Sequence, residues 1–264
     1  MQPTLPCLFL SHGAPTLVTD PCPTRDWLRS AAAQWPQPRA IICVSAHWCT
    51  AEPSVSGASQ PQIIHDFHGF PDELYAMRYP APGEPSLAVD VARQLKTAGM
   101  SCKVDGSRGL DHGAWVPLKL LYPHANIPVL QLSVQPQQSP EAHMTLGRAL
   151  RPLRDEGVLI LASGGATHNL ADFRGQSWDA PTENYVQRFD RWLTERVQAG
   201  NAEAICEYLQ APEGERNHPT AEHFLPLLVA FGAAQNSAAH RPQAELIHHA
   251  FTYGILSMAS FRWG

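Results

Sequence analysis

Six histidines of the sequence lie at positions from which they could act on one ion or one substrate. His12 follows the apolar run CLFL, His47 stands in CVSAHW, and His168 stands in ILASGGATHNL. His112 lies in the loop-like stretch GLDHGAW, and two further histidines stand in NHPTAEHFLPL. Imidazole is the commonest metal ligand near neutral pH and also a frequent general acid or base, so both chemistries are open.

The positions of these histidines after predicted strands favour a shared site. In an α/β protein, ligands bind at the carboxyl ends of the strands, and a catalytic metal needs about three protein ligands with open positions for substrate. Gly13 and Pro15 stop regular structure directly after His12. The Ser-Gly-Gly stretch at 163–165 is expected to expose backbone N–H groups that favour a developing anion. A single histidine after a strand is more often a satisfied polar residue, so the prediction depends on the joint placement of His12 and His47.

Alternating strands and helices must position these residues, and they predict the fold class. Aliphatic and β-branched runs predict strands at 7–10, 40–46, 102–105, 128–134 and 158–163. Helical patterns occupy 24–35, 86–99, 139–153, 182–200, 201–209 and 220–234. The successive apolar residues are typical of strands covered on both faces. We therefore expect a single α/β domain over 1–264, with a largely parallel central sheet flanked by helices and closing antiparallel strands at the C-terminus.

The composition narrows the class of function. The 264 residues are 44% hydrophobic and 16% charged, and the formal net charge is −5, which argues against nucleic-acid binding. No apolar run approaches the roughly 18 residues of a membrane span, and the N-terminus lacks the basic region of a signal peptide. The six cysteines form no C-x-x-C pair, so we expect a reduced, cytoplasmic protein. The sequence does not indicate an oligomeric state.

Six motifs in a fixed order give the sequence a family resemblance. They are SHGAPTLV, ICVSAHW, IHDFHGFPDELYAMRYPAPG, GLDHGAWVPL, ILASGGATHNL and HPTAEHFLPL, and they span nearly the whole chain. Together they resemble the LigB-like class III extradiol ring-cleavage dioxygenases, in the DODA-type (4,5-DOPA dioxygenase-like) subgroup. The resemblance implies that O2 opens the ring of a catechol, a small aromatic diol, outside its two hydroxyls at one mononuclear non-haem metal ion. Ferrous iron is expected for catalysis, and zinc can occupy such a site in purified protein.

The resemblance also implies which residues hold the metal ion. By the motif match, His12 and His47 are ligands, and the third ligand falls in HPTAEH. His223 is preferred because it lies in the predicted helical run 220–234. His218 remains an alternative, as does Glu222, because other branches of the superfamily use a glutamate there.

Other residues are expected to act on the substrate. The motif match makes His168 the acid/base, and it makes His112 a pocket histidine that contacts substrate or O2 and assists His168. Residues 64–83 are expected to form a loop beside the substrate. On this loop His65 lies near the mouth, Phe67 brackets an aromatic ring, and Arg78 holds a substrate carboxylate.

Two other functions fit the same residues. A zinc-dependent hydrolase would use a metal-activated water at the same imidazoles. A Memo-like binding protein would keep the fold without the chemistry, since fold alone does not determine function. The sequence names neither the catechol nor the ring bond that is cleaved.

Overall fold

A computed structural model describes residues 4–264, and within them the chain forms ten strands and ten α-helices. The strands are β1 (Cys7–Ser11), β2 (Ala40–Cys49), β3 (Ser54–Ser56), β4 (Lys103–Asp105), β5 (Val129–Val134), β6 (Val158–Gly164), β7 (Glu245–His248), β8 (Phe251–Thr252), β9 (Leu256–Ser257) and β10 (Ser260–Trp263). The helices are α1 (Pro23–Ala31), α2 (Asp72–Ala76), α3 (Pro85–Thr97), α4 (His112–Leu121), α5 (Pro140–Leu150), α6 (Pro152–Asp155), α7 (Asn184–Gln198), α8 (Ala202–Cys206), α9 (Gly214–Asn217) and α10 (Leu225–Ala234). The first three residues of the predicted range 1–264 lie outside the described residues.

Eight of these strands form one sheet, in the order β4-β3-β5-β2-β6-β1-β10-β7, and β8 pairs with β9. At the centre, β5, β2, β6 and β1 run parallel to one another. Beside β1, the strands β10 and β7 close the sheet in antiparallel pairing. The predicted α/β fold with a largely parallel sheet and closing antiparallel strands is thereby confirmed.

Helices cover both faces of the central sheet. Successive side chains of β1 show this, because Cys7 and Phe9 belong to the buried cluster that contains residues of α3, α5, α7 and α10, whereas Leu8 and Leu10 belong to the cluster that contains residues of α1 and α4. Every residue of β1, β5 and β6 is buried. Continuous burial explains the consecutive apolar residues from which these strands were predicted. Among residues 4–264, no helix combines the length and the apolarity that crossing a bilayer requires.

Several predicted boundaries near the site are corrected. GLDHGAW is not a loop: α4 begins at His112, and the side chain of Asp111 caps it by accepting the N–H of Ala114. The strand β2 continues to Cys49, so His47 lies within it. The helix predicted over 220–234 begins only at Leu225, and His223 precedes it. The short strand β3 and the short helix α2 were not predicted.

Candidate metal centre and active site

Three of the predicted histidines meet at the carboxyl ends of adjacent strands. His12 directly follows β1, His47 lies near the end of β2, and His223 precedes α10 beside the end of β6. Nε2 of His47 lies 3.0 Å from Nε2 of His12 and 3.2 Å from Nε2 of His223. The rings of His12 and His223 are buried, and that of His47 is mostly buried. Residues far apart in the chain thus bring three ring nitrogens to one point.

The hydrogen bonds of His12 fix which of its nitrogens is free. Its Nδ1 lies 2.9 Å from Oγ of Ser163, in β6. That hydroxyl donates its own proton to the carbonyl of Gly113, so it accepts from Nδ1–H of His12. The lone pair of His12 is therefore on Nε2, which faces the other two rings.

Carboxylates accept at Nδ1 of the other two rings and so leave their Nε2 atoms free. Nδ1 of His47 lies 3.3 Å from Oδ2 of Asp66, and Nδ1 of His223 lies 3.1 Å from Oε1 of Glu222. An oxygen acceptor at Nδ1 holds the proton there and turns Nε2 into a ligand. All three Nε2 atoms are consequently oriented towards one another with their lone pairs available.

This donor set fits a divalent metal ion. Metal–imidazole bonds are about 2.0–2.1 Å long, so two ligands at a right angle have nitrogens about 3.0 Å apart. Three facing lone pairs at that spacing repel one another unless a cation lies between them. Burial, followed by repulsion from His112, lowers the pKa of His47 to about 4. Burial and the neighbouring imidazoles hold the pKa values of His12 and His223 well below the ordinary range, so all three rings are neutral and able to ligate at pH 7.

The structure distinguishes the three candidates for the third position. Nε2 of His218 lies 3.0 Å from the carbonyl oxygen of Ala166, and His218 is not among the residues whose ligand atoms cluster with those of His12 and His47. Glu222 orients His223 through Nδ1. Of the three, His223 is the residue that brings a ring nitrogen next to Nε2 of His47, although it does so from an irregular segment and not from the predicted helix.

His168 lies flat against His223. The two ring centroids are 3.4 Å apart and the ring planes differ by 6°. Burial lowers the pKa of His168 to about 4, although the charge of Glu222 opposes that shift. The imidazole is therefore neutral at pH 7, which is the state that a general base requires. The ligand atoms of His168, Glu222 and His223 lie within 4.8 Å of one another, and so do those of His47, Asp66 and His112, so each group is a further arrangement able to hold a metal ion.

Asp66 connects His47 with His112. The ring centroids of these two histidines are 3.9 Å apart. Oδ1 of Asp66 accepts the backbone N–H of His112 at 3.0 Å and lies 3.0 Å from Nδ1 of the same residue. Although burial raises the pKa of this carboxyl group, the contacts with His112 and then with His47 lower it to about 2. Asp66 was not predicted from the sequence. The feature that indicates it is a carboxylate between two histidines in IHDFHGF.

Two glycines allow the backbone segments that carry His12 and His223 to pack closely at the site. Gly13 has φ +62°, a conformation that turns the chain immediately after His12 and that favours glycine. A Cβ at Gly164 would lie 2.3 Å from the carbonyl oxygen of His223. The N–H of Gly165 donates to that same carbonyl at 2.9 Å. The expectation that residues 163–165 expose N–H groups to an anion is therefore wrong for Gly165.

The histidines open into a cavity of about 520 Å³. The non-histidine part of its wall is mostly aromatic and aliphatic, and includes Pro15, Phe67, Phe70, Leu170, Phe173, Tyr253, Ile255 and Leu256. Phe67 thus lies where an aromatic ring would contact it. A cavity with apolar walls and a few convergent polar groups is typical of a site for a small organic molecule.

Two predicted substrate contacts lie outside this cavity. His65 and Arg78 line a neighbouring cavity together with Tyr75 and Tyr79. The guanidinium group of Arg78 is exposed and donates to the carbonyls of Tyr75 and Met77. We correct the prediction for both residues, because Asp66 and Phe67 of the 64–83 loop line the cavity of the histidines, whereas His65 and Arg78 line the other one.

The imidazoles lie at the carboxyl ends of the parallel strands, where α/β sheets bind their ligands, and three of them form a candidate metal centre there. The family model described as the catalytic LigB subunit of aromatic ring-opening dioxygenase matches residues 6–262. The chain therefore belongs to the LigB family, and it is an aromatic ring-opening dioxygenase.

Named relatives and a solved structure agree with this assignment. The chain is 42% identical to the 4,5-DOPA dioxygenase extradiol of Beta vulgaris, over 97% of this chain and 95% of that protein. It is 38% identical to the 4,5-DOPA dioxygenase extradiol of Escherichia coli K12, over 87% of this chain and 85% of that protein. The crystal structure of an uncharacterised protein from Escherichia coli K12 covers 98% of this chain and all of its own, with a TM-score of 0.80 and 33% identity.

Proposed function

We propose that this protein opens the ring of a catechol by extradiol cleavage, with one ferrous ion held by His12, His47 and His223. The observation that carries the proposal is the set of Nε2 atoms 3.0 and 3.2 Å apart, each on a ring whose Nδ1 faces an oxygen. Imidazole donors with open positions suit iron(II) that must also bind substrate and O2. When bound, the iron would supply a common centre for the catechol oxygens and O2, and a path for electrons between them.

The residues around the metal position would then move the protons. His168, neutral because burial lowers its pKa to about 4, would accept a phenolic proton from the catechol. The resulting imidazolium lies near Glu222, whose charge stabilises it. The same ring would return the proton during ring opening. His112, fixed by Asp66 beside His47, would contact the substrate or O2 and assist.

The walls of the cavity would hold the substrate and exclude water. Phe67 and Phe70 pack edge to face with centroids 5.3 Å apart, and Phe67 lies 5.8 Å from the ring of His112. Aromatic side chains in this arrangement offer ring faces and edges to a flat diol. This orientation would keep the diol in contact with the histidine end of the cavity.

The test is reconstitution with ferrous iron under nitrogen, followed by O2 and a panel of catechols. The proposal predicts uptake of about one O2 per catechol and a yellow ring-opened product. Absence of oxygen uptake over the whole panel would contradict it. Ester hydrolysis by the zinc-loaded protein without oxygen uptake would instead support the zinc-dependent hydrolase, and failure of both reactions would support the Memo-like binding protein.

Three further proposals concern the extent of the domain, the location of the protein and the identity of the native ion. We propose one catalytic domain over 1–264, supported by the family match to residues 6–262. We also propose a cytoplasmic location, supported by six cysteines that are all free thiols. Ferrous iron is the proposed native ion, and zinc is an expected substitute in purified protein.

A further inference from the structure

We propose that His218 is a positioning residue, which fixes the backbone that carries His168 and thereby sets the place of that ring beside His223. The inference rests on the proposed function, because His168 is the residue proposed to move the protons. His218 stands in HPTAEH, and its ring nitrogens belong to none of the three groups able to hold a metal ion. The observations that carry the inference are the hydrogen bonds, the burial and the aromatic neighbours of His218.

Two hydrogen bonds join the segment that carries His168 to the pair Asn217 and His218. Nε2 of His218 lies 3.0 Å from the carbonyl oxygen of Ala166. Two residues further on, the N–H of His168 donates to the carbonyl of Asn217 at 2.9 Å. The backbone is therefore fixed at residues 166 and 168, where the His168 side chain leaves the chain.

The surroundings of His218 decide which ring nitrogen carries the proton. The residue is 1% exposed, and burial lowers its pKa to about 3, so the ring is neutral at pH 7 and has one N–H. Ala166 offers a carbonyl oxygen, which only accepts, so the proton is on Nε2 and His218 donates. Within residues 4–264, Nδ1 has no hydrogen-bond partner. The bond to Ala166 is thus the hydrogen bond that this side chain makes.

Aromatic side chains hold the ring of His218 in this orientation. Its centroid lies 5.3 Å from that of Phe189, 5.7 Å from that of Tyr208 and 5.0 Å from that of Phe224. The ring planes meet at 60°, 87° and 67°, and all three neighbours are buried. Closely packed rings at such angles leave an imidazole little freedom to turn.

Asn217 is fixed to two helices. Its buried side-chain amide donates to the carbonyl of Glu213 at 3.0 Å and to that of Tyr185, in α7, at 3.3 Å. Asn217 is itself the last residue of α9. The pair Asn217 and His218 is therefore a rigid support for the segment that carries His168.

Packing alone does not explain a histidine at this position. An enclosed acceptor without a donor, such as Nδ1, destabilises a fold. Leucine would fill a similar space without that cost, but it would leave the buried carbonyl of Ala166 without its donor. What the imidazole adds is the bond at Ala166 and, through the backbone, the placement of His168.

The first test uses the unaltered protein loaded with zinc. Nitrogen-15 NMR of the imidazoles distinguishes the two neutral tautomers of each histidine. We expect His218 to be neutral at pH 7 with its proton on Nε2. A proton on Nδ1, or a charged ring, would overturn the inference. This measurement decides the matter even if a variant does not fold.

Variants then separate positioning from packing. His218→Leu removes the donor, whereas His218→Gln keeps an amide N–H close to the place of Nε2. His143→Leu is the matched control, because His143 is also 1% exposed and does not line the cavity. Its two ring nitrogens bond to the backbone of Ser139 and Gln135. The control therefore removes a buried, hydrogen-bonded imidazole that does not contact the segment of His168.

Hydrogen exchange of the zinc-loaded proteins reports the segment of His168 without any turnover. We expect the amide of His168 to exchange about tenfold faster in His218→Leu, relative to the amides of β5, because one buried hydrogen bond is lost. His218→Gln and His143→Leu should keep the exchange rate of the parent. Unchanged exchange in His218→Leu, or equal acceleration in His143→Leu, would overturn the inference.

Oxygen uptake by the ferrous proteins completes the test. We expect kcat and kcat/KM for catechol to fall together by about 10–100-fold in His218→Leu, since a misplaced group weakens the transition state and not substrate binding. His218→Gln should restore most of this loss, and zinc content should be unchanged. Loss of zinc from His218→Leu, or equal kcat in His218→Gln and His218→Leu, would overturn the inference.

The two readouts separate this inference from the proposed function. Full turnover by His218→Leu would preserve the dioxygenase and overturn the inference. Faster exchange at His168 in His218→Leu, together with no oxygen uptake by the parent, would preserve the positioning role and contradict the dioxygenase.

Discussion

His168 and His223 lie face to face, yet their surroundings give them different roles. His223 has an acceptor at Nδ1 and presents Nε2 to His47. His168 has no such link to His12 or His47, and it stacks on the outer face of His223 at 3.4 Å. The motif order predicted both residues, but the sequence does not reveal that one ring packs on the other. This stacking makes substitutions at the two positions separable by experiment.

Replacing His168 should abolish turnover and leave the metal in place. We expect His168→Ala to lower kcat by about 10²–10⁴-fold, because a positioned acid or base contributes that much. His12→Ala should instead lose the metal ion, since it removes a ligand nitrogen. Metal content by atomic emission and kcat from oxygen uptake distinguish the two variants. Equal metal loss in both would mean that His168 is a ligand.

Asp66 should strengthen metal binding or turnover, although it is not itself a ligand. Asp66→Asn removes the charge that faces Nδ1 of both His47 and His112. We expect metal affinity or kcat to fall about 10–100-fold, the usual effect of losing a partner of a ligand. Asp72→Asn, an exposed carboxylate of α2, is the matched control. Equal affinity and kcat in the two variants would contradict the positioning role of Asp66.

The strands that carry the site were easier to predict than the helix beside them. The strands β1, β5 and β6 are buried on both faces, and consecutive apolar residues indicate this directly. The helix α4 is buried on nearly every side and contains Pro117, so it lacks the polar stripe by which a helix is recognised. Its cap, Asp111, accepts from Ser45 of β2 and is fully buried, a contact between distant segments that no local pattern shows.

The sequence also does not predict which side chains of the 64–83 loop face the cavity. The loop was expected to present His65, Phe67 and Arg78, and the structure presents Asp66 and Phe67. Irregular backbone has no fixed period, so the direction of each side chain depends on tertiary contacts. Here those contacts are the pairing of Ile63 with Leu110 and the bond from the N–H of His112 to Asp66.

The contact between α7 and the C-terminal strands should depend on pH. His249 Nε2 lies 2.8 Å from Oδ2 of buried Asp190, and this hydrogen bond raises the pKa of the histidine above 6.5. The charged imidazolium therefore stabilises the fold fully below the unfolded pKa of about 6.5, and this contribution is lost as the pH rises through the higher folded pKa. Because His249 is partly exposed, we expect about 1 kcal/mol or less.

His249→Gln isolates this contribution, since glutamine keeps a donor and removes the charge. The melting temperature of the variant should lie below that of the parent near pH 5.5, by at most about 2–4 °C. The gap should narrow towards pH 8.5, where the parent histidine has lost its proton. Thermal melts of both proteins over this range provide the measurement. A gap that stays constant or widens with rising pH would contradict the account.

The metal position is formed by residues from distant parts of the chain, because residues 12, 47 and 223 are far apart in the sequence. Their strands β1 and β2 flank β6, whose Ser163 orients His12. A ligand that binds only this folded arrangement must stabilise it by mass action. Metal binding and global stability are therefore expected to change together.

Zinc at about 100 times its dissociation constant should stabilise the protein by about 2.7 kcal/mol. For a chain of this size, the melting temperature should rise by about 5–10 °C. EDTA should reverse the shift, and His12→Ala should abolish it. The effect is measured by differential scanning calorimetry of four samples. They are the parent without zinc, the parent with zinc, the parent with zinc and EDTA, and His12→Ala with zinc. A shift of the same size in His12→Ala would show that the stabilising ion binds elsewhere.

Diffraction from crystals of the zinc-loaded protein, recorded at the zinc absorption edge, locates the bound ion. We expect one strong anomalous peak about 2.0–2.1 Å from Nε2 of His12, His47 and His223. A peak between His47, Asp66 and His112, or between His168, Glu222 and His223, would contradict this assignment.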